Sequence, residues 1–293
     1  MSYKRNIFFN YLYILPVVIL VAFLYLYPIL YTIYISFTNF NLYHFFKYQW
    51  VGLANYITVL TGGTFWQVLV NTAIWTVGSL APMIAVGFLL ALILNQKDLR
   101  GRSAFFTLLL VPWAFPAFIS LIVWQGMWNW KYGIVNKVLA IFGIKPVDWF
   151  DMVPMAWTML ILTNLWLSFP YYTSVFLSAL QSIPEELYSI AEIDGASRFA
   201  RFRYITLPLM RKTIAFVAIG GFTFTWNNFY PIYILTGGGP GNATNILVVY
   251  AYQAAFNNSL YNFAAVYSVI DAAILIAMAI IMLKYSGVLE AIT

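Results

Sequence analysis

The chain has 293 residues, 63% hydrophobic, 20% aromatic and only 8% charged, with a mean hydropathy of +0.82. A soluble domain carries about a quarter charged residues, so lipid must solvate much of this chain. With no cysteine and only His44, it can have no disulfides, thiolate metal sites, cysteine nucleophile or histidine metal cluster, and the net charge of +6 bears on membrane orientation rather than on nucleic acid.

An all-α, polytopic membrane protein with six transmembrane helices is expected, because crossing the hydrocarbon takes about 20 apolar residues. In chain order the spans are Leu12–Ile35, Gln67–Leu94, Ala104–Met127, Val153–Phe176, Ile214–Leu235 and Ala264–Leu283. Lys4 and Arg5 before the first span suit a signal peptide. Its apolar run is too long for one and lacks a small-residue cleavage site, so it reads as a retained helix. Lys4, Arg5, Lys97, Arg100, Arg102, Arg198, Arg201, Arg203, Arg211, Lys212 and Lys284 fall on one face, 11 of the 15 basic residues. Lys47, Lys131, Lys137 and Lys145 fall on the other. The positive-inside rule makes the crowded face cytoplasmic, with both termini inside.

Prolines 16, 28, 82, 112, 116 and 170 interrupt the first four spans. Each frees a carbonyl that lipid cannot satisfy, which suits ordinary kinking or a bundle bent around a pathway. Trp124, Trp128 and Trp130 fit an aromatic belt at an outer boundary. Asp271 is the only acid inside a span, at a cost of about 2.5–3.5 kcal/mol at mid-bilayer. A buried interhelical hydrogen bond or a near-interface position is the favoured reading, and a proton relay the functional one.

No phosphate-cradling G-x-x-x-x-G-K-[S/T] loop is present. The glycine-rich run Thr236-Gly-Gly-Gly-Pro-Gly241 lacks the lysine and reads as a tight exterior turn. Transport therefore depends on another protein's ATP hydrolysis, or the chain is an ion-coupled or passive carrier with Asp271 as its relay.

The loop between spans four and five, residues 182–210, reads as two short helices joined at a glycine. Ser182 can cap the first, Pro184 suits its first turn, and Glu185 and Glu186 match its positive end. Leu187, Ile190, Ala191 and Asp194 follow at helical spacing, and Gly195 permits a left-handed stop. Arg198, Arg201 and Arg203 then alternate with Phe199, Phe202 and Ile205 up to Leu207-Pro208. An amphipathic linker lying on anionic lipid is the simpler alternative.

Glu186-Leu-Tyr-Ser-Ile-Ala-Glu-Ile-Asp-Gly-Ala196 with Ile205-Thr-Leu-Pro208 resembles the EAA docking loop of ATP-binding-cassette (ABC) importer permeases. The resemblance implies a type I ABC importer permease fold over the single domain 1–293. It also implies a coupling helix that contacts an ATPase through Glu185, Glu186, Tyr188, Ser189, Ala191, Glu192, Asp194, Gly195 and Ala196. The leading Glu-Ala-Ala appears here as Ser189-Ile190-Ala191, so the customary acidic contact is missing at its usual place. Glu186 and Glu192 are its neighbouring substitutes.

Further segments are similar to the carbohydrate branch of that family. They are Leu15-Pro16, Tyr27-Pro28, Ser36-Phe37, Val51-Gly-Leu-Ala-Asn-Tyr56, and Leu235-Thr-Gly-Gly-Gly-Pro240 with Thr244 and Tyr252. Leu167-Ser-Phe-Pro-Tyr171 and Phe224-Thr-Trp-Asn-Asn-Phe229 most resemble the larger maltose permease subunit, without its extra N-terminal helices and outer insertion. The implied partners are a homologous second permease, two ATPase subunits that hold ATP and Mg, and an extracellular or periplasmic sugar-binding protein. No cofactor is expected on this chain.

Local chemistry allows two readings of the polar groups in spans four and five: interhelical hydrogen bonds, or contacts to a sugar that needs amides, hydroxyls and flat aromatic faces. The resemblance implies the second, with Leu167, Ser168, Tyr171, Gly221, Phe224, Thr225 and Asn228 facing the substrate. Ser168, Gly221 and Thr225 depart from the maltose pattern, which leaves a smaller or differently linked sugar open.

Overall fold

The computed structural model describes residues 13–96 and 98–286. Lys4, Arg5, Leu12 and Lys97, used above for span and orientation, lie outside them. In chain order the helices are α1 (Tyr13–Ser36), α2 (Ala54–Thr61), α3 (Gly63–Leu94), α4 (Arg102–Leu109), α5 (Val111–Ala114), α6 (Ala117–Met127), α7 (Ile134–Ile141), α8 (Val153–Gln181), α9 (Glu185–Ile193), α10 (Arg198–Trp226), α11 (Phe229–Leu235), α12 (Leu247–Tyr252) and α13 (Tyr261–Ser286). Among the described residues the extended pairing is limited to one bridge, Thr38–Trp50.

Helices α1, α3, α8, α10 and α13 are each long and apolar enough to cross a membrane. The expected third span is not one helix but three pieces, α4 to α6. Phe115 is extended (φ −92°, ψ 144°) and Pro116 follows at ψ 125°. A residue before proline is pushed out of the helical region, so the break falls there. The expected fifth span is also corrected. Its helix starts far earlier, at Arg198, and stops at Trp226, so Asn227 and Asn228 sit in a break instead of mid-helix. Pro231 removes the amide that would have bonded the Asn227 carbonyl.

Prolines 82 and 170 lie inside continuous helices. Two others have a helical remedy. A wider π-turn spans Ala22–Leu26 before Pro28, and another spans Phe202–Thr206 before Pro208. In each, the amide just before the proline reaches back five residues, Tyr27 to Ala22 and Leu207 to Phe202. The chain thus absorbs a missing donor without leaving the helix.

The chain divides into two compact units. One comprises the chain up to Trp66 with Tyr250–Ala273. Asn55 organises it: its Nδ2 donates to the carbonyls of Ser36 (2.8 Å) and Thr38 (2.7 Å), and its Oδ1 accepts from Asn262 Nδ2 (3.1 Å). Phe37 packs between Trp50 and Tyr56, with centroids at 5.2 and 5.1 Å. The Val51–Tyr56 motif is therefore a clasp on the end of α1, made by the buried Asn55. Substituting Asn55→Ala is expected to cost about 1–3 kcal/mol, since buried carbonyls lose their donors. A lower melting temperature in detergent would register it, and unchanged melting would contradict the clasp. Asp271, in the same unit, is buried inside α13 and is not without a partner.

The other unit comprises Gln67–Val249 with Ile274 onward. One apolar cluster gathers Met83, Ala91, Tyr172, Phe176, Leu180, Met210 and Val217 from α3, α8 and α10. Gly87 lets α3 approach α8 closely: a β-carbon there would lie 2.4 Å from Tyr172 Cβ and 3.0 Å from its backbone carbon. A second cluster holds Trp75, Leu121, Trp128, Trp149, Met159, Leu160 and Ile232. Trp128 is 4% exposed, donates to Thr163 Oγ1 (2.8 Å) and meets Trp149 edge-on at 4.7 Å. It is a core residue, so the expected belt role is corrected for Trp128, while Trp124 is half-buried and Trp130 is exposed. The glycine-rich turn is fastened as well as tight: Thr236 and Thr244 hydroxyls pair at 2.9 Å, and Asn71 Nδ2 donates to the Asn242 carbonyl at 3.1 Å.

Candidate functional site

A cavity of about 660 Å³ opens within the larger unit, between α5, α6, α8, α10 and α11. Its wall contains all seven residues named from the sequence: Leu167, Ser168, Tyr171, Gly221, Phe224, Thr225 and Asn228. Helix geometry accounts for the grouping. Positions 164, 167, 168 and 171 share one face of α8, and 221, 224 and 225 share one face of α10. The break after Trp226 then lets Asn228 turn from the helical path. Gly221 leaves space for its neighbours, because a β-carbon there would fall 2.6 Å from both Leu80 Cδ1 and the Tyr172 hydroxyl.

The side chains differ in role. Phe224 is 69% exposed, and Tyr171 is exposed with its ring 6.0 Å from Trp113. Thr225 is buried, and its carbonyl accepts from Trp75 Nε1 at 3.0 Å. Asn228 Nδ2 donates to Asn164 Oδ1 at 3.2 Å. Asn164 is 1% exposed, and its own Nδ2 is buried without a hydrogen-bond partner. Sequence reasoning missed Asn164, although its place three and four residues before Leu167 and Ser168 was the available signal. It also missed Trp113 and Phe115, which come from the broken third span, remote in the chain, and Tyr230, two residues after Asn228. Aromatic faces and neutral hydroxyl and amide groups thus line the cavity, with no Asp, Glu, Lys, Arg or His among them. Asp271 is not part of the lining.

The second candidate surface is α9. Ser182 does not cap it: the Ser182 hydroxyl donates back to the Ala179 carbonyl (2.7 Å) at the end of α8, and Pro184 takes the N-cap position with no side-chain bond. The helix stops by a Schellman arrangement. Gly195 has φ +78°, its amide donates to Glu192 O (3.0 Å), and the Ala196 amide donates to Ala191 O (2.8 Å). The return segment is no separate short helix but the start of α10, capped by Ser197, whose Oγ accepts from the Ala200 amide at 3.2 Å.

Two contacts fix α9 against α10. Tyr188 and Thr206 hydroxyls lie 2.9 Å apart, and Arg201 Nη1 donates to Glu192 Oε2 at 2.9 Å. Tyr188, Ala191 and Ala196 are half-buried, whereas Glu185, Glu186, Ser189, Glu192, Asp194 and Gly195 are exposed. Glu192, one of the two substitute carboxylates, is therefore engaged with Arg201. Exposed apolar groups complete the surface, including Ile193 at 86% and Phe199 at 73%.

A helical membrane bundle with an interior cavity and a projecting helix defines the class: a membrane transport component. Residues 83–292 match the family described as binding-protein-dependent transport system inner membrane component, and the chain belongs to that family. It is thus a multi-pass permease component of such a transport system. It is 37% identical to the galactooligosaccharides transport system permease protein GanP of Bacillus subtilis (strain 168), over 95% of this chain and 71% of the relative. It is 34% identical to the trehalose/maltose transport system permease protein MalF of Thermococcus litoralis, over 94% of this chain and 92% of that protein. Its fold is that of an ABC importer permease. The crystal structure of a bacterial ABC transporter involved in the import of the acidic polysaccharide alginate superposes with a TM-score of 0.84, at 23% identity over 97% of this chain and 96% of that one.

Proposed function

We propose that the chain passes an uncharged sugar or oligosaccharide through the cavity between α8 and α10, powered by separate ATP-binding-cassette ATPases that dock on α9. The observation that carries the cargo assignment is the lining: stacking faces and neutral hydrogen-bonding groups, with no ionised side chain. Sugars need both, because their C–H faces stack on aromatic rings while their hydroxyls demand partners once out of water. The printed functions of GanP and MalF, galactooligosaccharide and trehalose/maltose transport, lie in the same substrate class. An external binding protein delivers the sugar, and a second, homologous permease completes the pathway.

The ATPase contact is supported by α9 itself, a rigid helix with exposed apolar groups on a surface loop, which marks a contact site. No residue of this chain performs the chemistry; ATP and Mg belong to the partners. The positive-inside distribution supports a cytoplasmic face for α9, Arg198, Arg201 and Arg203, and for both termini. Closure of two ATPases would move α9 and, through the continuous α10, the wall that carries Gly221, Phe224 and Thr225.

The test is ATP-dependent sugar uptake into proteoliposomes holding the complete transporter and its binding protein. Substituting Asn228→Leu removes an amide from the wall and should slow uptake at sub-saturating sugar about tenfold, equivalent to about 1.4 kcal/mol. Assembly with the ATPase should be unchanged. Wild-type uptake by this variant would sink the assignment of the cavity to the substrate.

A further inference from the structure

The helix α7 has two apolar faces, and only one of them is used by the fold. At about 100° per residue, Val135, Asn136 and Leu139 point one way, and Val135 and Leu139 pack on the cluster around Trp128 and Trp149. Ile134, Val138 and Ile141 form a stripe on the other side, and all three are exposed, as is Phe142 just past the helix end. That direction is fixed by Asn136, which is buried. Its Nδ2 donates to the carbonyls of Trp130 and Val147, both at 2.9 Å, and its Oδ1 accepts from Trp149 Nε1 at 3.0 Å. Such a hub, with every arm inside the unit, prevents α7 from rolling its outer stripe inward. The stripe is a built surface.

Its surroundings indicate what covers it. Lys137 and Lys145 flank the stripe and are exposed, as are Trp130 and Tyr132 just before the helix. Apolar residues on one side, lysines at the edge and aromatic groups alongside are the composition of a helix lying in a bilayer interface, where ammonium groups reach headgroup phosphates. A second exposed apolar surface lies just upstream. Helix α6, six residues upstream, exposes Phe118, Ile119, Ile122 and Val123 along its flank. We propose that α7 rests in the headgroup–acyl boundary of the leaflet at the α6–α8 end, with Ile134, Val138, Ile141 and Phe142 in the acyl region and Lys137 and Lys145 at the phosphates. It would then fix the depth of the segments that join it to the cavity-bearing α6 and α8, because Asn136 is bonded to Trp130 after α6 and to Val147 and Trp149 before α8.

The absence of native cysteine makes the test direct. Single substitutions Val138→Cys, Ile141→Cys and, as the water-facing reference, Asp151→Cys carry a nitroxide label in the assembled transporter, reconstituted in phosphatidylethanolamine–phosphatidylglycerol vesicles. Power saturation then compares molecular oxygen with a nickel chelate. Labels at 138 and 141 should favour oxygen several-fold over the label at 151. Equal nickel access at all three positions would show a solvated helix and overturn the proposal. Low access to both reagents at 138 and 141 would show a protein-covered face, and would overturn it equally. Uptake retained by each labelled variant establishes that the readings come from folded transporter.

Discussion

Substitution of Gly195→Val is expected to abolish ATP-driven uptake while leaving the protein folded in the membrane. Gly195 stands at φ +78°, and its amide and that of Ala196 close the end of α9. A β-branched residue meets a steric penalty of about 1–2 kcal/mol or more in that region. The remedy is to abandon the left-handed turn, which frees the Ala191 and Glu192 carbonyls and swings α9 away from Tyr188–Thr206 and Arg201–Glu192. Nothing else opposes the substitution, since a β-carbon at Gly195 has open space around it. The damage should therefore fall on the orientation of α9 and not on the bundle. Deleting Glu185–Asp194 should have the same effect on uptake. Copurification with the ATPase, measured beside membrane content, separates failed docking from failed folding. Full uptake by the deletion variant would dismiss α9 as the docking element.

Gly87→Ala should act in the opposite way, through stability. Its new methyl would sit 2.4 Å from Tyr172 Cβ and tight against the α8 backbone, at 3.0 and 3.1 Å. Two backbones cannot yield as a side-chain tip can, so α3 and α8 must separate. Overpacking of this kind costs about 1–3 kcal/mol, occasionally more. The expected result is a clear drop in melting temperature, with weakened transport because Tyr172 also lines the cavity. Gly221→Ala meets only the ends of Leu80 and Tyr172, which can rotate aside, and should be much milder. Equal melting of Gly87→Ala and wild type would show that the close approach does not constrain the bundle.

The contrast between these glycines marks how far the sequence could be read. Gly195 was legible because helix ends are local: two acids in the first turn, helical spacing and a following glycine all lie within one segment. The seven cavity residues came from resemblance, six of them within two motifs and Gly221 one helical turn before the second. Gly87 carried no local signal, since its role depends on Tyr172, distant in the chain. Trp113 was missed for the same reason, whereas Asn164 did carry a local signal in its spacing to Leu167 and Ser168. Trp128 shows a related failure, in that an amphipathic residue near a span end looks like a boundary group until its buried partners are known.

The breaks in the helices followed another pattern. Proline positions were plain, but their consequences were not. Pro116 and Pro231 accompany broken helices, whereas Pro28 and Pro208 are absorbed by π-turns and Pro82 and Pro170 by continuous helix. The outcome depends on whether neighbouring amides can reach the carbonyl that proline leaves unbonded, which is a property of the packed bundle. Ser182 failed as a cap for a simpler reason: it ends α8 in helical conformation, two residues before the N-cap position that Pro184 takes.

The central claim, an uncharged sugar moved through a neutral aromatic cavity by a partner's ATP hydrolysis, is tested most directly by sugar-stimulated ATPase activity. The complete transporter in proteoliposomes would be assayed with its binding protein and maltose, trehalose or a galacto-oligosaccharide, against an acidic alginate oligosaccharide. The account predicts stimulation by a neutral sugar, matching ATP-dependent uptake, and none by the acidic one. Stimulation by the acidic sugar alone, or sugar uptake that proceeds without ATP, would contradict it.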